Sequence, residues 1–528
     1  MYLGKIVCCF SLFITSLYSS QVIDIAVIGA GVNGTYTSWK LSSLKGQDGN
    51  PLHIDLFEAT DRIGGRLYTL FFPEMKHVPV ELGGMRFKGN HKYVRKLAEE
   101  LGLTVVPFSS EATDNFYYLR GVRLRQHELI EPSKLPYKLA ENEKGKTGSE
   151  ILLNAVSQII PNIRSLTTDE WAQKRATFTY EGKLLKDLSW INFISSQISP
   201  EAFQYLVDIG EISQIGDVSL LSKVDLMVSE PNNETLKIAE GYQLIPLRLA
   251  EKFRQSGGSI HLNHRLVQIL SSKNPEEGYE LIFDNGTGKE KHYFARKVIL
   301  TISPTALLHL IPQTPLANDS KLQTNLNSVS PNELTKLFFA YHSPWWRSLK
   351  LNDGYSITSM PIRSCYYFPS EEDTQNGNRN SLLLASYQGA FTPLWRSLNA
   401  FKIQTNKAAQ DIPSDVTAGK NTIGQALHQL KILHGLTDIP DPYAAAFQDW
   451  GKPPYYAAYY FWNVGTDSHQ VDLEVRKPND REEIYIFTSD FCEDQGWVEC
   501  ALRVADRLIN QYLQMYLSNK KINETADF

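Results

Sequence analysis

Short, uninterrupted apolar runs alternate with helically spaced ones through the N-terminal part of the chain, a pattern that breaks off and later resumes. The run Ile25-Ala26-Val27-Ile28 has no polar face, which predicts a strand covered on both sides within a parallel sheet. A second such stretch ends in Asp55-Leu56-Phe57-Glu58. Helices are predicted from Thr35 to Leu41 and from Lys92 to Leu101, the latter stopped by Gly102. From about 116 to 235 the chain turns to helical segments rich in aromatics, such as Gly148 to Ile159 and Ala202 to Ile209, the pattern of an insertion that covers a site. The sheet pattern returns near Glu240, with a helix through Phe253, a strand from His261 to Ile269, and a strand Val298 to Thr301 running into Ile302-Ser303-Pro304. Strands Leu334 to Ala340 and Leu382 to Tyr387 follow among aromatic loops, and an amphipathic helix Val498 to Tyr516 precedes a polar tail. Alternating strands and helices place the chain in the α/β class, and 528 residues imply two interleaved domains.

The turn after the first strand carries the first sign of chemistry. In Gly29-Ala30-Gly31-Val32-Asn33-Gly34, Gly29 permits the tight turn, Gly31 lets backbone approach a pyrophosphate, and Gly34 lets the next helix pack closely. The helix N-terminus adds unpaired N–H groups and a positive dipole end. Glu58 closes the second strand at the place where an acid grips ribose hydroxyls. In Asp61-Arg62-Ile63-Gly64-Gly65-Arg66, two guanidiniums flank a Gly-Gly turn, which suits a diphosphate. These features predict a Rossmann-like dinucleotide site. Lys336 stands inside the apolar stretch Leu334-Thr335-Lys336-Leu337-Phe338-Phe339, where burying an ammonium is costly unless the strand is an exposed edge. His264, without a partner motif, reads as a strand-end polar residue.

Charge and cysteines narrow the setting. Lys plus Arg number 53 against 58 Asp plus Glu, which gives no electrostatic case for nucleic acid and leaves small molecules as partners. Residues 1–20 join Lys5 to the apolar run Ile6 to Ile14 and small residues up to Ser20, the pattern of a secretory signal. It is too short for a comfortable span, and no later run approaches spanning length, so the expected product is secreted, with no stable membrane insertion. Cys365, Cys492 and Cys500 lie beyond that segment, so at most one internal bridge forms, and the joining of Cys492 to Cys500 is left open. Sequons at Asn233, Asn285, Asn318 and Asn523 are candidate glycan acceptors; Asn33, inside the phosphate turn, is expected to stay bare. There is no GxSxG elbow, HExxH, Cys-x-x-Cys or P-loop, and no metal site is predicted.

Gly29-x-Gly31-x-x-Gly34, Glu58 and Asp61 to Arg66 together resemble the flavin amine oxidases, a family that includes monoamine, polyamine and L-amino-acid oxidases. Glu81-Leu82-Gly83-Gly84-Met85-Arg86-Phe87 looks like the L-amino-acid oxidase version of the next motif, and matches continue to Gly496-Trp497. The leader, Leu82 to Phe87, and Asp449-Trp450-Gly451 with Phe461-Trp462 are most similar to the secreted antimicrobial oxidases of molluscs, the achacin, aplysianin and escapin group. The resemblance implies a two-domain fold: a signal peptide at 1–20, an FAD-binding domain from 21–115, 240–314 and 466–518, a helical substrate region at 116–239, a substrate-binding domain at 315–465 and a tail at 519–528. It implies FAD held by Gly29, Ala30, Gly31, Val32, Asn33, Gly34, Glu58, Ala59, Arg62, Gly65, Arg66, Gly83, Gly84, Met85, Arg86, Val267, Asp490, Trp497 and Val498. Arg86 matches the arginine that holds a substrate carboxylate and Tyr387 the tyrosine that donates to it. Lys336 matches the lysine that holds a water and assists reaction with oxygen. Gly496 and Trp497 match the pair beside the flavin and the substrate amine, and Tyr460 lies in an aromatic segment that faces the substrate side chain. Ser489-Asp490 departs from the Gly-Glu of the family, keeping the charge and shortening its reach; Cys500 replaces a common glycine.

The reading that follows is a secreted FAD-dependent L-amino-acid oxidase that releases a 2-oxo acid, ammonia and hydrogen peroxide from an L-amino acid and dioxygen, with an antimicrobial role through the peroxide. A homodimer is common in the family. Two alternatives stand beside it. An amine or polyamine oxidase would have no carboxylate for Arg86 to hold, and a non-enzymatic binding protein on the same fold would not be bleached by substrate.

Overall fold

The computed structural model describes residues 22–46, 49–109, 113–212, 217–229, 234–371, 379–400, 412–492 and 495–512. The expected signal peptide, the tail and the sequons Asn233 and Asn523 lie outside them.

The apolar run Ile23–Ile28 is the centre of the first sheet, paired in parallel with Ile54–Phe57 on one side and Glu290–Leu300 on the other. Ser259–His261 extends the sheet beyond Ile54–Phe57, and Ile484–Ile486 runs parallel to the end of Glu290–Leu300. Both faces are covered, which is why the run has no polar side. Ile25 and Val27 pack with helices Leu244–Gln255 and Val498–Tyr512 through Ala250, Phe253, Val504 and Leu508, while Ala26 and Ile28 face a core with Leu281, Leu307 and Leu322. The eleven-residue strand Glu290–Leu300 continues the same sheet in the other sense: its first half is antiparallel to Tyr279–Asp284, which pairs in turn with Arg265–Ser271. The predicted strand His261 to Ile269 is therefore two strands. Asn263, at φ 57°, breaks it, a left-handed conformation that Asn tolerates better than most residues.

The second sheet has seven strands in the order Ala444–Asp449, Thr335–Tyr341, Ser381–Gln388, Ser364–Ser370, Tyr355–Thr358, Phe116–Leu119 and Val122–Arg125. Thr335–Tyr341 is buried at every position and paired on both sides, so Lys336 is not on an edge. The segment read as helical from 116 thus opens with a hairpin that completes this sheet. Helices follow it, among them Gly148–Ser157, Pro200–Asp208 and Leu220–Ser229, sharing a core that includes Ile151, Tyr205, Leu206 and Val224. Thr147 and Thr167 start two of them with reciprocal capping by Glu150 and Glu170. Cys492 and Cys500 are joined in a disulfide, Cα to Cα 6.6 Å, which resolves the pairing left open above; Cys365 is buried and free. Among the described residues no helix is long and apolar enough to cross a membrane.

Candidate active site

One continuous cavity of about 650 Å³ runs from the turn after Ile23–Ile28 to the second sheet. At its first end, helix Val32–Leu41 starts three residues earlier than expected, with Gly31 as its cap, no side-chain cap and no acid in its first turn. Its leading N–H groups are therefore left to an anion. Gly34 lies inside that first turn, where a Cβ would overlap the Gly29 carbonyl oxygen; a Cβ on Gly31 would meet nothing nearer than Gly65 Cα at 3.9 Å. The first glycine packs the turn and the second leaves room for a ligand. Glu58 is buried and held in place, Oε2 accepting from Ala30 N–H at 2.8 Å and Oε1 from Thr60 N–H at 2.9 Å. Asn33 Nδ2 donates to Phe487 O at 2.6 Å and Ala501 O at 3.0 Å, tying the turn to the C-terminal segment and leaving no room for a glycan. Val267 is the extra residue of a β-bulge between Leu266 and Gln268, so its backbone is freed from the ladder where it borders the cavity.

Arg66 and Asp490 form a two-pronged pair, both contacts 2.9 Å, in the cavity wall. The shorter acid thus reaches the guanidinium from its own segment. Gly83 sits where a Cβ would strike the Arg66 carbonyl, so the Gly-Gly pair before Met85 is needed for close passage of two chain segments.

At the other end, Lys336 and Tyr387 are direct cross-strand neighbours, and Lys336 Nζ lies 5.2 Å from the Tyr387 ring centroid. Nζ donates to Glu81 O at 3.0 Å and Gly83 O at 2.5 Å. Burial draws the Lys336 ammonium well below the usual lysine range; Glu81 opposes this and the Arg86 charge reinforces it. Arg86 lies over the Phe108 ring at 5.4 Å and, among the described residues, has no carboxylate within ion-pair distance. Burial works against its charge, but the hydroxyls of Tyr366, Tyr387 and Tyr355 keep it firmly protonated. Burial also raises the Tyr387 hydroxyl, so it stays a donor. Gly496, at φ 88°, and Trp497, packed edge-on to His91 at 5.0 Å, close this end with Tyr459 and Phe461.

Of the residues expected from sequence, Gly29, Gly31, Val32, Asn33, Glu58, Ala59, Gly65, Arg66, Gly83, Gly84, Met85, Arg86, Val267, Lys336, Tyr387, Asp490, Gly496, Trp497 and Val498 all line this one cavity. Ala30 and Gly34 shape it from behind. Two expectations are corrected. Arg62 is outside the lining, its guanidinium taken up by Gly65 O at 2.7 Å, Leu67 O at 3.3 Å and the Tyr455 hydroxyl at 2.6 Å. Tyr460 points away from the cavity into the core beside Trp462, its hydroxyl donating to Thr305 Oγ1 at 2.8 Å. Strand Tyr459–Trp462 alternates faces, so Tyr459 and Phe461 are the residues that meet the cavity. Leu226 and Tyr242 also line it and carry no motif that marks them.

The phosphate turn, the fixed acid at the strand end and the second sheet with its buried lysine define a flavin-dependent oxidoreductase. The chain belongs to the flavin-containing amine oxidoreductase family, whose model matches residues 47–507, and FAD is its cofactor. Achacin of Lissachatina fulica is 26% identical over 530 residues, covering 93% of each chain. An L-amino-acid oxidase of Demansia vestigiata is 25% identical over 348 residues, covering 65% of this chain and 62% of its own. A putrescine oxidase solved with putrescine bound has the same fold, TM-score 0.67, at 17% identity, covering 93% of this chain and 99% of its own.

Proposed function

We propose that this protein is a secreted FAD-dependent L-amino-acid oxidase, converting an L-amino acid, water and dioxygen to a 2-oxo acid, ammonia and hydrogen peroxide. The observation that carries this is Arg86: a guanidinium in the cavity wall without a carboxylate of its own among the described residues, beside a hydroxyl donor and a buried lysine. A substrate carboxylate supplies the missing partner; a simple amine does not. The putrescine oxidase likeness concerns the fold alone, whereas achacin and the L-amino-acid oxidases are similar in sequence.

Bound FAD would supply the chemistry the chain lacks, a hydride acceptor for Cα that dioxygen can reoxidise. The phosphate turn, Glu58, Arg66 and the Val267 bulge would hold it. Arg86 and Tyr387 fix the carboxylate and so orient Cα, which makes positioning the main contribution of the chain. Trp497 and Gly496 seat the neutral amine, which sheds its proton beforehand, so no strong base is required. Lys336 keeps a positive charge and a hydrogen-bond donor at the cavity wall for the oxygen step. Secretion, an antimicrobial role through peroxide, and glycans on Asn285 and Asn318 complete the reading; Asn318 is exposed ahead of helix Ser320–Leu326. Peroxide release across the twenty L-amino acids, with D-isomers and putrescine as controls, tests it. Turnover of one or more L-isomers alone supports the proposal, and turnover of putrescine alone overturns it.

A further inference from the structure

The Lys336 ammonium is seated on the backbone of a residue whose own side chain is a buried acid. Glu81 is 7% exposed and lies outside the cavity, behind the wall that Lys336 lines. Its Oε1 accepts the Tyr242 N–H at 2.7 Å and its Oε2 accepts the Thr69 hydroxyl at 2.7 Å. Both oxygens are thus engaged as acceptors. Both contacts favour the ionised carboxylate over the neutral carboxyl. A buried carboxylate needs a positive partner. Two ammoniums face it: Lys336 from strand Thr335–Tyr341 and the half-buried Lys237 from strand Thr235–Ile238. Lys336 in turn faces Glu81 and the like charge of Arg86, and the nearby Tyr242 hydroxyl faces Glu81 and Glu499.

We infer that Glu81 is a positioning residue for the oxygen step: ionised within the wall, it keeps Lys336 protonated at the cavity against burial and against Arg86. Burial alone pushes the two groups the other way, the acid up and the lysine down, toward an uncharged pair. The donors from Tyr242 and Thr69 and the attraction between the two charges oppose that push, so removing the Glu81 carboxylate leaves Lys336 to lose its proton at lower pH. The inference rests on the oxidase reading for the step it serves, but its test does not require an amino acid.

Holoenzyme reduced with dithionite is mixed with dioxygen across neutral and alkaline pH, and the sulfite affinity of the oxidised form is titrated by absorbance as a second readout of positive charge beside the flavin. In the native protein the oxygen rate falls as pH rises through the Lys336 transition. E81Q moves that midpoint down by about one pH unit, which is about a tenfold slower reaction above it, and weakens sulfite binding. T69V, which removes one donor from the carboxylate, shifts both in the same direction by less. K336M abolishes the transition, and E81Q adds nothing in that background. An unchanged midpoint and sulfite affinity in E81Q, or an E81Q effect that survives in K336M, overturns the inference; if E81Q does not fold, an unmoved T69V midpoint does so. Failure of the oxidase reading is seen separately, as native holoenzyme that no L-amino acid reduces.

Discussion

Replacing Arg86 by Ala tests the substrate assignment at its most exposed point. The guanidinium lies among the hydroxyls of Tyr355, Tyr366 and Tyr387 and against the Phe108 face, with no carboxylate within ion-pair distance among the described residues, so its loss breaks no ion pair there. The fold should keep its melting temperature. Binding should not. Hydrogen bonds to a charged group contribute about 1.5–3 kcal/mol each, and truncating one partner of a buried ion pair costs about 3–5 kcal/mol. At about 1.4 kcal/mol per factor of ten, kcat/KM for the preferred L-amino acid should fall by about a hundredfold to a few thousandfold. R86K retains charge without the planar fork and should lie between. Steady-state peroxide assays on matched substrates, an L-amino acid and its decarboxylated amine, separate the cases. The amine should be nearly indifferent to the substitution. A fall of less than about tenfold for the amino acid, or an equal fall for the amine, refutes the assignment of Arg86 to a carboxylate.

Gly34→Ala places a methyl group against the Gly29 carbonyl, so the purified protein should lose its yellow colour while the second sheet stays folded by circular dichroism. Tyr460→Phe should leave KM unchanged and lower stability by about 1 kcal/mol for the lost bond to Thr305, as read by denaturant melting; a large KM change would reinstate Tyr460 at the substrate. His434 is buried between Leu430 O and the Tyr367 hydroxyl, and burial lowers its pKa to about 4. The fold favours the neutral ring, so its contribution is intact above the unfolded value of about 6.5 and is lost as pH falls through the folded value, about 3 kcal/mol in all. The stability gap between native protein and H434Q should therefore narrow on acidification, and a constant gap would contradict the shift.

Local features were legible where one residue type has one physical use. The Ile25 to Ile28 run, the glycines after it and Glu58 required no tertiary knowledge, because strand, turn and acid are contiguous. Lys336 was legible for the opposite reason, as a charge that an apolar strand has no structural use for. Tyr460 was misplaced because Tyr455 to Trp462 is aromatic or small at every position, so the two-residue period has no readable phase. Arg62 and Arg66 look equivalent across Gly64-Gly65; what separates them is Tyr455 and Asp490, each about four hundred residues away. Glu81 stood inside the quoted motif, yet its role depends on Thr69, Tyr242 and Lys336 converging from three segments. Likewise the break at Asn263 is hidden, since apolar residues continue on both sides of it.

Anaerobic titration of the purified holoenzyme tests the central assignment most directly. An L-amino acid should bleach the flavin absorbance, its D-isomer should not, and admission of air should restore the colour with release of peroxide. A flavin that putrescine bleaches and no L-amino acid does, or a protein that holds no flavin after reconstitution with FAD, would contradict it.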